Sequence, residues 1–342
     1  VNPPEQSPEH SADSRTPGRH LALVGPTASG KSAVAMALAL RRVAACRPTE
    51  LVSCDSMQVY RGMGIGTAKP SAAEQRLVPH HLLDLVEPTE EHNLPRFIAA
   101  ARSALDDIES RGADAILVGG TGLYVRALVD GFDPPPHFPE ITEQLETIPD
   151  TAELTARLQL LDPEALTHIP PGNRRRIVRA LEVGIGTGLP FSSFGERFDR
   201  YPDTPFVLAG LRPTRAVLSE RIAERFDAQM EAGFLDEAVV LQQMGDRLSR
   251  TAAQALGYRE LLAHLRGECD LHSAIERAKV RTRRFAVRQQ RWFGRDPRIR
   301  WFDPPGDVEA VAASMDSLWA KRAAGGQGSV ATVGGGTANP AP

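Results

Sequence analysis

Eight residues near the start, Gly25-Pro26-Thr27-Ala28-Ser29-Gly30-Lys31-Ser32, constrain this 342-residue chain more than any other feature. They fit the pattern G-x-x-x-x-G-K-[ST], with an apolar run before them (residues 21–25) and an Ala-rich helical pattern after (32–45). The glycines let backbone N–H groups turn inward onto phosphate oxygens, and the helix N-terminus adds its partial positive charge. Lys31 brings a point charge to the terminal phosphates, and the Ser32 hydroxyl is a usual Mg²⁺ ligand. A diphosphate or triphosphate is therefore the expected cargo, held by an enzyme.

Such a loop leaves a strand and enters a helix, so the rest of the chain is read for that alternation. Further apolar runs fall at 51–55, 82–86, 115–119, 206–210 and 299–302, several separated by helical patterns such as 96–111. Near-continuous apolar strands alternating with helices predict an α/β fold, a P-loop NTPase-like core whose parallel sheet is flanked by helices on both faces. The rhythm breaks after Leu128 at Gly131-Phe-Asp-Pro-Pro-Pro-His-Phe-Pro, and only helical patterns follow until residue 206. This predicts an all-helical insertion, residues 131–202, in a core made of 20–130 and 203–322. Residues 1–19 are polar and proline-rich, and 323–342 are Gly, Ala and Pro; both read as disordered tails.

Composition excludes more than it identifies. The three cysteines are scattered, with no CxxC pair, which argues against a disulfide framework or a zinc site and fits a cytoplasmic enzyme. No apolar run reaches the roughly 18 residues of a membrane helix. Cys54 reads as a small buried apolar residue, and His80 and His81 as the entrance to a strand.

A second constellation follows the second strand. Asp55 ends that strand, where a carboxylate points into the crevice at the top of a parallel sheet. There it can hold Mg²⁺ through water, act as a general base, or cap the next turn through Ser56. Residues 56–70 then carry three glycines, two basic residues and a Thr, a loop suited to wrapping a ligand's phosphates or ring. The usual acidic strand end is missing at 115–119, which runs into Gly119-Gly120-Thr121 instead.

Charge is concentrated late in the chain. Between Glu276 and Arg300 there are ten Lys/Arg and two acidic residues, although the whole chain has a net charge of -3. Arg277, Arg281, Arg284, Arg288, Arg291 and Arg295 step by four and three along one helix face, beside a predicted packing seam of Ala278, Phe285 and Trp292. A stripe of one sign with no acids to pair it suits a phosphate backbone. Arg174, Arg175, Arg176 and Arg179 form a second basic cluster. Arg221 and Arg225, four apart, either reach a diphosphate or lie on a solvated face with Glu220 and Glu224.

The order and content of these blocks resemble the tRNA dimethylallyltransferase (tRNA isopentenyltransferase) family. The likeness rests on Gly25–Ser32, on Asp55-Ser-Met-Gln-Val-Tyr-Arg-Gly-Met-Gly-Ile-Gly-Thr-Ala-Lys-Pro, on His81-Leu-Leu-Asp and on Val118-Gly-Gly-Thr-Gly-Leu-Tyr124. It continues through RRIVRALEV (175–183), RIAERFDAQMEAG (221–233), QALGYRE (254–260) and residues 283–293. The resemblance implies transfer of a dimethylallyl group from dimethylallyl diphosphate to N6 of the adenosine 3′ to the anticodon, with Mg²⁺. It implies that the loop holds the prenyl diphosphate, that Asp55 is the general base, and that Thr121 lies against the target nucleotide, where it also suits a helix N-cap.

The expected RNA contacts are Asp55, Ser56, Met57, Gln58, Thr121, Arg175, Arg176, Arg179, Gln254, Gly257, Tyr258 and Arg259. The stripe adds Arg284, Arg288 and Arg291. The expected partner is the anticodon stem-loop of tRNA, bound by a monomer, and a channel through the core is expected to join donor and RNA. Two positions depart from the family's habit: Thr142 and Val287 stand where Arg and Lys are common. The rival readings are an adenylate isopentenyltransferase acting on free nucleotide and a P-loop small-molecule kinase.

Overall fold

A computed structural model describes residues 16–132, 134–195, 200–304 and 306–324. The chain runs through β1 (His20–Val24), α1 (Lys31–Ala44), β2 (Thr49–Ser53), α2 (Ala72–Leu77), β3 (His80–His81), α3 (Leu94–Ser110), β4 (Asp114–Gly119) and α4 (Gly122–Val129). Five helices follow with no strand between them: α5 (Pro139–Glu146), α6 (Thr151–Leu161), α7 (Ala165–His168), α8 (Arg174–Thr187) and α9 (Ser192–Gly195). The sheet then resumes with β5 (Phe206–Leu211). After it come α10 (Arg215–Glu231), α11 (Phe234–Gln242), α12 (Arg250–Ala253), α13 (Tyr258–Leu265), α14 (Leu271–Phe293), β6 (Arg300–Phe302) and α15 (Val308–Ala324).

The six strands form one sheet in the order β3-β2-β4-β1-β5-β6, and every pairing is parallel. β1 is central and fully buried, because a strand covered by helices on both faces has no polar side to show. Ala22 and Val24 pack with Phe97, Leu105 and Ile108 of α3. Leu21 and Leu23 face the other way, onto Val34 and Leu38 of α1 and Trp319 of α15. Each Val, Leu, Ile or Phe side chain among these contributes about 1.5–3 kcal/mol on burial. The carboxyl ends of β1, β2 and β4 therefore converge, and with them Gly25, Asp55 and Thr121.

Two sequence expectations need correction here. Residues 82–86 do not form a strand; the short strand is His80–His81, and the chain then leaves the sheet. Leu82 (φ 64°) and Asp84 (φ 53°) take left-handed backbone conformations, which no strand can continue. The amino-terminal segment also packs closer to the core than its composition indicates. Gly18 N–H donates to the Pro205 carbonyl at 2.8 Å, and Trp319 Nε1 donates to the Gly18 carbonyl at 2.9 Å. Residues 1–15 and 325–342 lie outside the described residues.

The helices between α4 and β5 have a core of their own, including Leu145, Leu154, Leu158, Ile177 and Leu181. Their attachment to the sheet is clamped at Tyr201, whose ring lies 4.6 Å from the Arg126 guanidinium and 5.4 Å from that of Arg298. Arg298 also donates to Asp130 at 2.7 Å, so both ends of the insertion meet at one charged knot.

Helix α14 buries Ala278 of the heptad seam read in the sequence but not the other two positions. Its buried residues are Ala274, Ala278, Ala286, Gln289 and Phe293. Phe285 is only partly buried and Trp292 is 36% exposed, its ring laid against Gly122 instead. The basic stripe is not free of acids either. Arg281 is paired with the buried Glu260 at 2.6 Å, while Arg277, Arg284, Arg288, Arg291 and Arg295 are at least partly exposed.

Candidate active site

One cavity of about 1070 Å³ opens above the carboxyl ends of β1, β2 and β4. Its wall includes Thr27–Ser32, Asp55–Gln58, Thr121, Arg221 and Arg225, Gln254, and Arg281, Phe285 and Arg288 of α14. The phosphate loop, the carboxylate and the basic helix, far apart along the chain, border a single space.

Cations surround the loop. Lys31 Nζ donates to the Pro26 carbonyl at 2.6 Å, folded back over the loop it serves. Burial lowers its pKa to about 7; the Asp55 charge raises it and the Arg225 charge lowers it further. Arg221 and Arg225 are not on a solvated face. Arg221 donates to the Ser29 carbonyl and Arg225 to Thr27 Oγ1, each at 3.4 Å. Burial likewise pushes the Arg225 guanidinium below its usual range, with Asp55 opposing. Three cations thus crowd one loop, an arrangement costly when empty and satisfied by a multivalent anion.

Asp55 is fixed by an Asx turn. Its Oδ1 accepts the Met57 N–H at 2.8 Å, and Oδ2 has no hydrogen bond among the described residues. The capping and functional readings of this residue are compatible, since one oxygen makes the turn and the other is left for the cavity that Asp55 lines. Thr121 occupies the N-cap position of α4 but makes no side-chain cap; its Oγ1 accepts the Ser56 N–H at 3.2 Å and ties the two strand ends together. Cys54, fully buried beside Asp55, has its thiol pKa pushed far up by desolvation and then by that charge.

The glycine-rich loop after Asp55 does not offer its backbone donors to a ligand. Glu237 on α11 accepts the N–H groups of Gly64 (2.8 Å), Ile65 (2.9 Å) and Gly66 (3.0 Å). Gln58 is equally committed: its Oε1 accepts from the Ser53 hydroxyl at 2.8 Å and its Nε2 donates to the Thr67 and Ala68 carbonyls at 3.2 Å. Gly66 must be glycine, because a Cβ there would sit 2.3 Å from the Phe234 ring. The loop is a braced wall.

The expected RNA contacts divide into exposed and internal groups. Arg175, Arg176, Gln254 and Arg259 are at least partly exposed, with Gln254 Oε1 accepting from Arg259 at 3.1 Å. Tyr258 is fully buried and donates its hydroxyl to Glu237; Gly257 is buried beside it. Arg179 spends its guanidinium on the Pro135 and Pro136 carbonyls and on Glu182, and Arg174 on the carbonyls that end α5. Thr142 has a buried hydroxyl with no partner among the described residues, and Val287 is partly buried on α14. His80 and His81 form β3, with His81 Nε2 against Glu50 at 2.6 Å.

Sequence reading missed Glu237 and Gln289. Glu237 leaves no local trace, because the amides it holds lie more than 170 residues away. Gln289 does leave one: it is a polar residue at a seam position of an amphipathic helix, and its amide bridges the Thr27 N–H (2.9 Å) and the Gly120 carbonyl (2.8 Å).

No group of three or more His, Cys, Asp or Glu suited to a metal occurs among the described residues. A magnesium ion carried chiefly by diphosphate and water needs no such group, since one hydroxyl and one carboxylate suffice. Ser32 borders the cavity and could provide the hydroxyl, with the Asp55 carboxylate reached through water.

Comparison with known proteins agrees with this geometry. The sequence pattern of the family described as IPP transferase matches residues 58–296. A tRNA dimethylallyltransferase from Thermobifida fusca is 47% identical over 301 residues, covering 86% of this chain and 93% of that protein. One from Desulforudis audaxviator is 42% identical and covers 86% of this chain and 96% of that protein. Among solved structures, the tRNA isopentenylpyrophosphate transferase of Bacillus halodurans superposes with a TM-score of 0.64 at 36% identity, covering 89% of this chain and 97% of its own. A eukaryotic dimethylallyltransferase described as acting on tRNA gives 0.73 at 27% identity, covering 87% and 77%. The kinase and free-adenylate readings gain nothing from these relatives. A phosphate loop, a turn-fixed carboxylate and a basic helix around one cavity thus accompany likeness to enzymes of one kind, and the chain belongs to the tRNA dimethylallyltransferase (IPP transferase) family.

Proposed function

We propose that this protein transfers the dimethylallyl group of dimethylallyl diphosphate to N6 of the adenosine 3′ to the anticodon in tRNA. The observation that carries the reading is the single cavity bordered by Lys31, Asp55 and Arg288. It lets a diphosphate at the loop and a nucleotide brought in beside α14 meet at the Asp55 carboxylate. The target base must leave its stack in the anticodon loop to enter.

The exocyclic amine of adenine is a poor nucleophile because its lone pair is delocalised into the ring. As the N6–C bond forms and the C–O bond to diphosphate breaks, Asp55 takes the N6 proton, a contribution worth roughly 10²–10⁴-fold. Lys31, Arg221 and Arg225 receive the charge that develops on the leaving diphosphate, the electrostatic term that weighs most in such reactions. A Mg²⁺ held by the diphosphate and the Ser32 hydroxyl would neutralise part of the same charge. Arg175 and Arg176 on the helical insertion, and Arg284, Arg288 and Arg291 on α14, hold the anticodon stem-loop by its phosphates. The enzyme acts as a monomer in the cytoplasm, and no helix among the described residues is long and apolar enough to cross a membrane.

The test supplies labelled dimethylallyl diphosphate, Mg²⁺ and an unmodified tRNA with adenosine 3′ to its anticodon. Label should appear in the RNA as N6-dimethylallyladenosine, and chelation of the metal should stop it. Label that stays in the diphosphate, with phosphate passing from ATP to a metabolite, would sink the proposal.

A further inference from the structure

The phosphate loop carries a strained residue at its centre. Ala28 has φ 61°, a left-handed conformation that costs an L-residue roughly 1–2 kcal/mol and persists only where the surroundings enforce it. The enforcing groups come from two helices far off in sequence. On one side of Ala28, the Thr27 N–H donates to Gln289 Oε1 at 2.9 Å; on the other, Arg221 of α10 donates to the Ser29 carbonyl at 3.4 Å.

Gln289 does more than hold Thr27. Its Nε2 donates to the Gly120 carbonyl at 2.8 Å, so one amide joins the end of β1 to the end of β4. The fit is tight: a Cβ at Gly120 would fall 2.3 Å from that nitrogen. The amide is buried, with the residue only 7% exposed, while Arg288 before it and Arg291 two positions after it reach the surface of the same helix. A 23-residue helix moves as a rod, so whatever fixes its exposed face also fixes its buried one.

We infer that Gln289 is a positioning residue that couples the two substrate sites, so that RNA docked on the exposed face of α14 tightens the grip of the Thr27–Ser32 loop on diphosphate. This rests on the reading of α14 as RNA-facing and of the loop as a diphosphate site. By reciprocity, diphosphate must tighten RNA binding by the same factor.

The experiment measures the affinity of inorganic diphosphate with Mg²⁺, alone and in the presence of a saturating unmodified anticodon stem-loop, by calorimetry. In the wild-type protein the RNA should tighten diphosphate binding about tenfold, within the usual range of coupling between sites. In Gln289→Met, which removes both hydrogen bonds at similar volume, the ratio should fall to near one. In Gln289→Glu, which keeps the acceptor for Thr27 but turns a repelling oxygen towards Gly120, it should fall part of the way. A ratio of affinities is independent of how much protein is active, so a fold weakened by substitution does not mimic the effect. Wild-type ratios of one, or an unchanged ratio in both variants, overturn the coupling while leaving the enzymatic reading intact. Failure of the wild-type protein to bind either probe removes the reading as well.

Discussion

Tyr258 donates its hydroxyl to the carboxylate of Glu237, and the same carboxylate collects three consecutive backbone N–H groups at Gly64, Ile65 and Gly66. An anion thus fills a concave run of amides, as a bound phosphate does elsewhere, but here the anion belongs to the protein. Burial and the Glu237 charge together keep the Tyr258 phenol far above its usual pKa, so the proton stays on the tyrosine. The pair holds the glycine-rich wall of the cavity in place. Glu237→Ala leaves those amides and the phenol unpaired and is expected to cost about 3 kcal/mol in urea unfolding, in line with the loss of a charged acceptor from a buried network. Glu237→Gln keeps one acceptor oxygen but turns an NH2 group towards the donors that the other oxygen held, so it should lose about as much as the alanine variant. A loss under about 0.5 kcal/mol for the alanine variant would mean that the loop stands without this anchor.

Asp55 offers a cleaner separation of chemistry from structure. Asp55→Asn retains an oxygen to accept the Met57 N–H and so keeps the turn, while the second oxygen is replaced by a group unable to take a proton. Turnover in the prenyl-transfer assay should fall by roughly 10²–10⁴-fold, with the dissociation constant for tRNA changed by less than about threefold. Full turnover in this variant would remove the general-base assignment.

Much of this arrangement is legible in the sequence where chemistry depends on neighbours along the chain. The loop 25–32 shows itself through its own pattern and flanking strand, and Asp55 through its position at a strand end. The parallel sheet follows from fully apolar strands between helices. The stretch 82–86 misleads because its apolar content is right for a strand; the left-handed turns at Leu82 and Asp84 divert it, and although Asp tolerates such a conformation, Leu gives no sign of it. On α14 the arginines are plain in the sequence, but a heptad reading selects large aromatic residues for the seam. The helix keeps Ala278 of that seam, but otherwise buries Ala274, Ala286, Gln289 and Phe293, and it lies close against Gly120 and Gly122. The bracing of the Gly-rich loop by Glu237, Gln229 and Lys69 stays hidden, since those hydrogen bonds depend on the finished fold.

The exposed arginines of α14 make a prediction about salt. Replacing Arg284, Arg288 or Arg291 singly by Ala should weaken tRNA binding and lower the slope of log affinity against log salt by roughly 0.7–0.9 for each phosphate no longer neutralised. Arg281 should behave differently, because its guanidinium is paired with Glu260. Arg281→Ala leaves a buried carboxylate without its partner, so it should cost stability with little change in the salt slope. Filter binding across a salt series, with urea unfolding alongside, separates the two kinds of arginine; equal slopes for all four variants would contradict the assignment of the exposed three to RNA phosphates.

Lys31 ties affinity for the donor to pH. Its pKa in the free enzyme is lowered to about 7, chiefly by burial, with Asp55 raising it and Arg225 lowering it. Below pH 7 the lysine is already charged, and diphosphate binds it without proton exchange. Above pH 7 it is neutral in the free enzyme, while a bound diphosphate anion favours the ammonium form and raises the pKa again. Binding above pH 7 must therefore take up a proton, and affinity should decline by as much as about tenfold per pH unit until the pKa of the complex is reached. Calorimetry of inorganic diphosphate at pH 8, in buffers of different ionisation enthalpy, should report uptake approaching one proton per site and almost none at pH 6 from this group. Lys31→Met should bind more weakly and show no such uptake. Wild-type binding that takes up no proton at pH 8 would mean that Lys31 keeps its charge in the empty loop, and that the crowding of cations there does not govern the affinity.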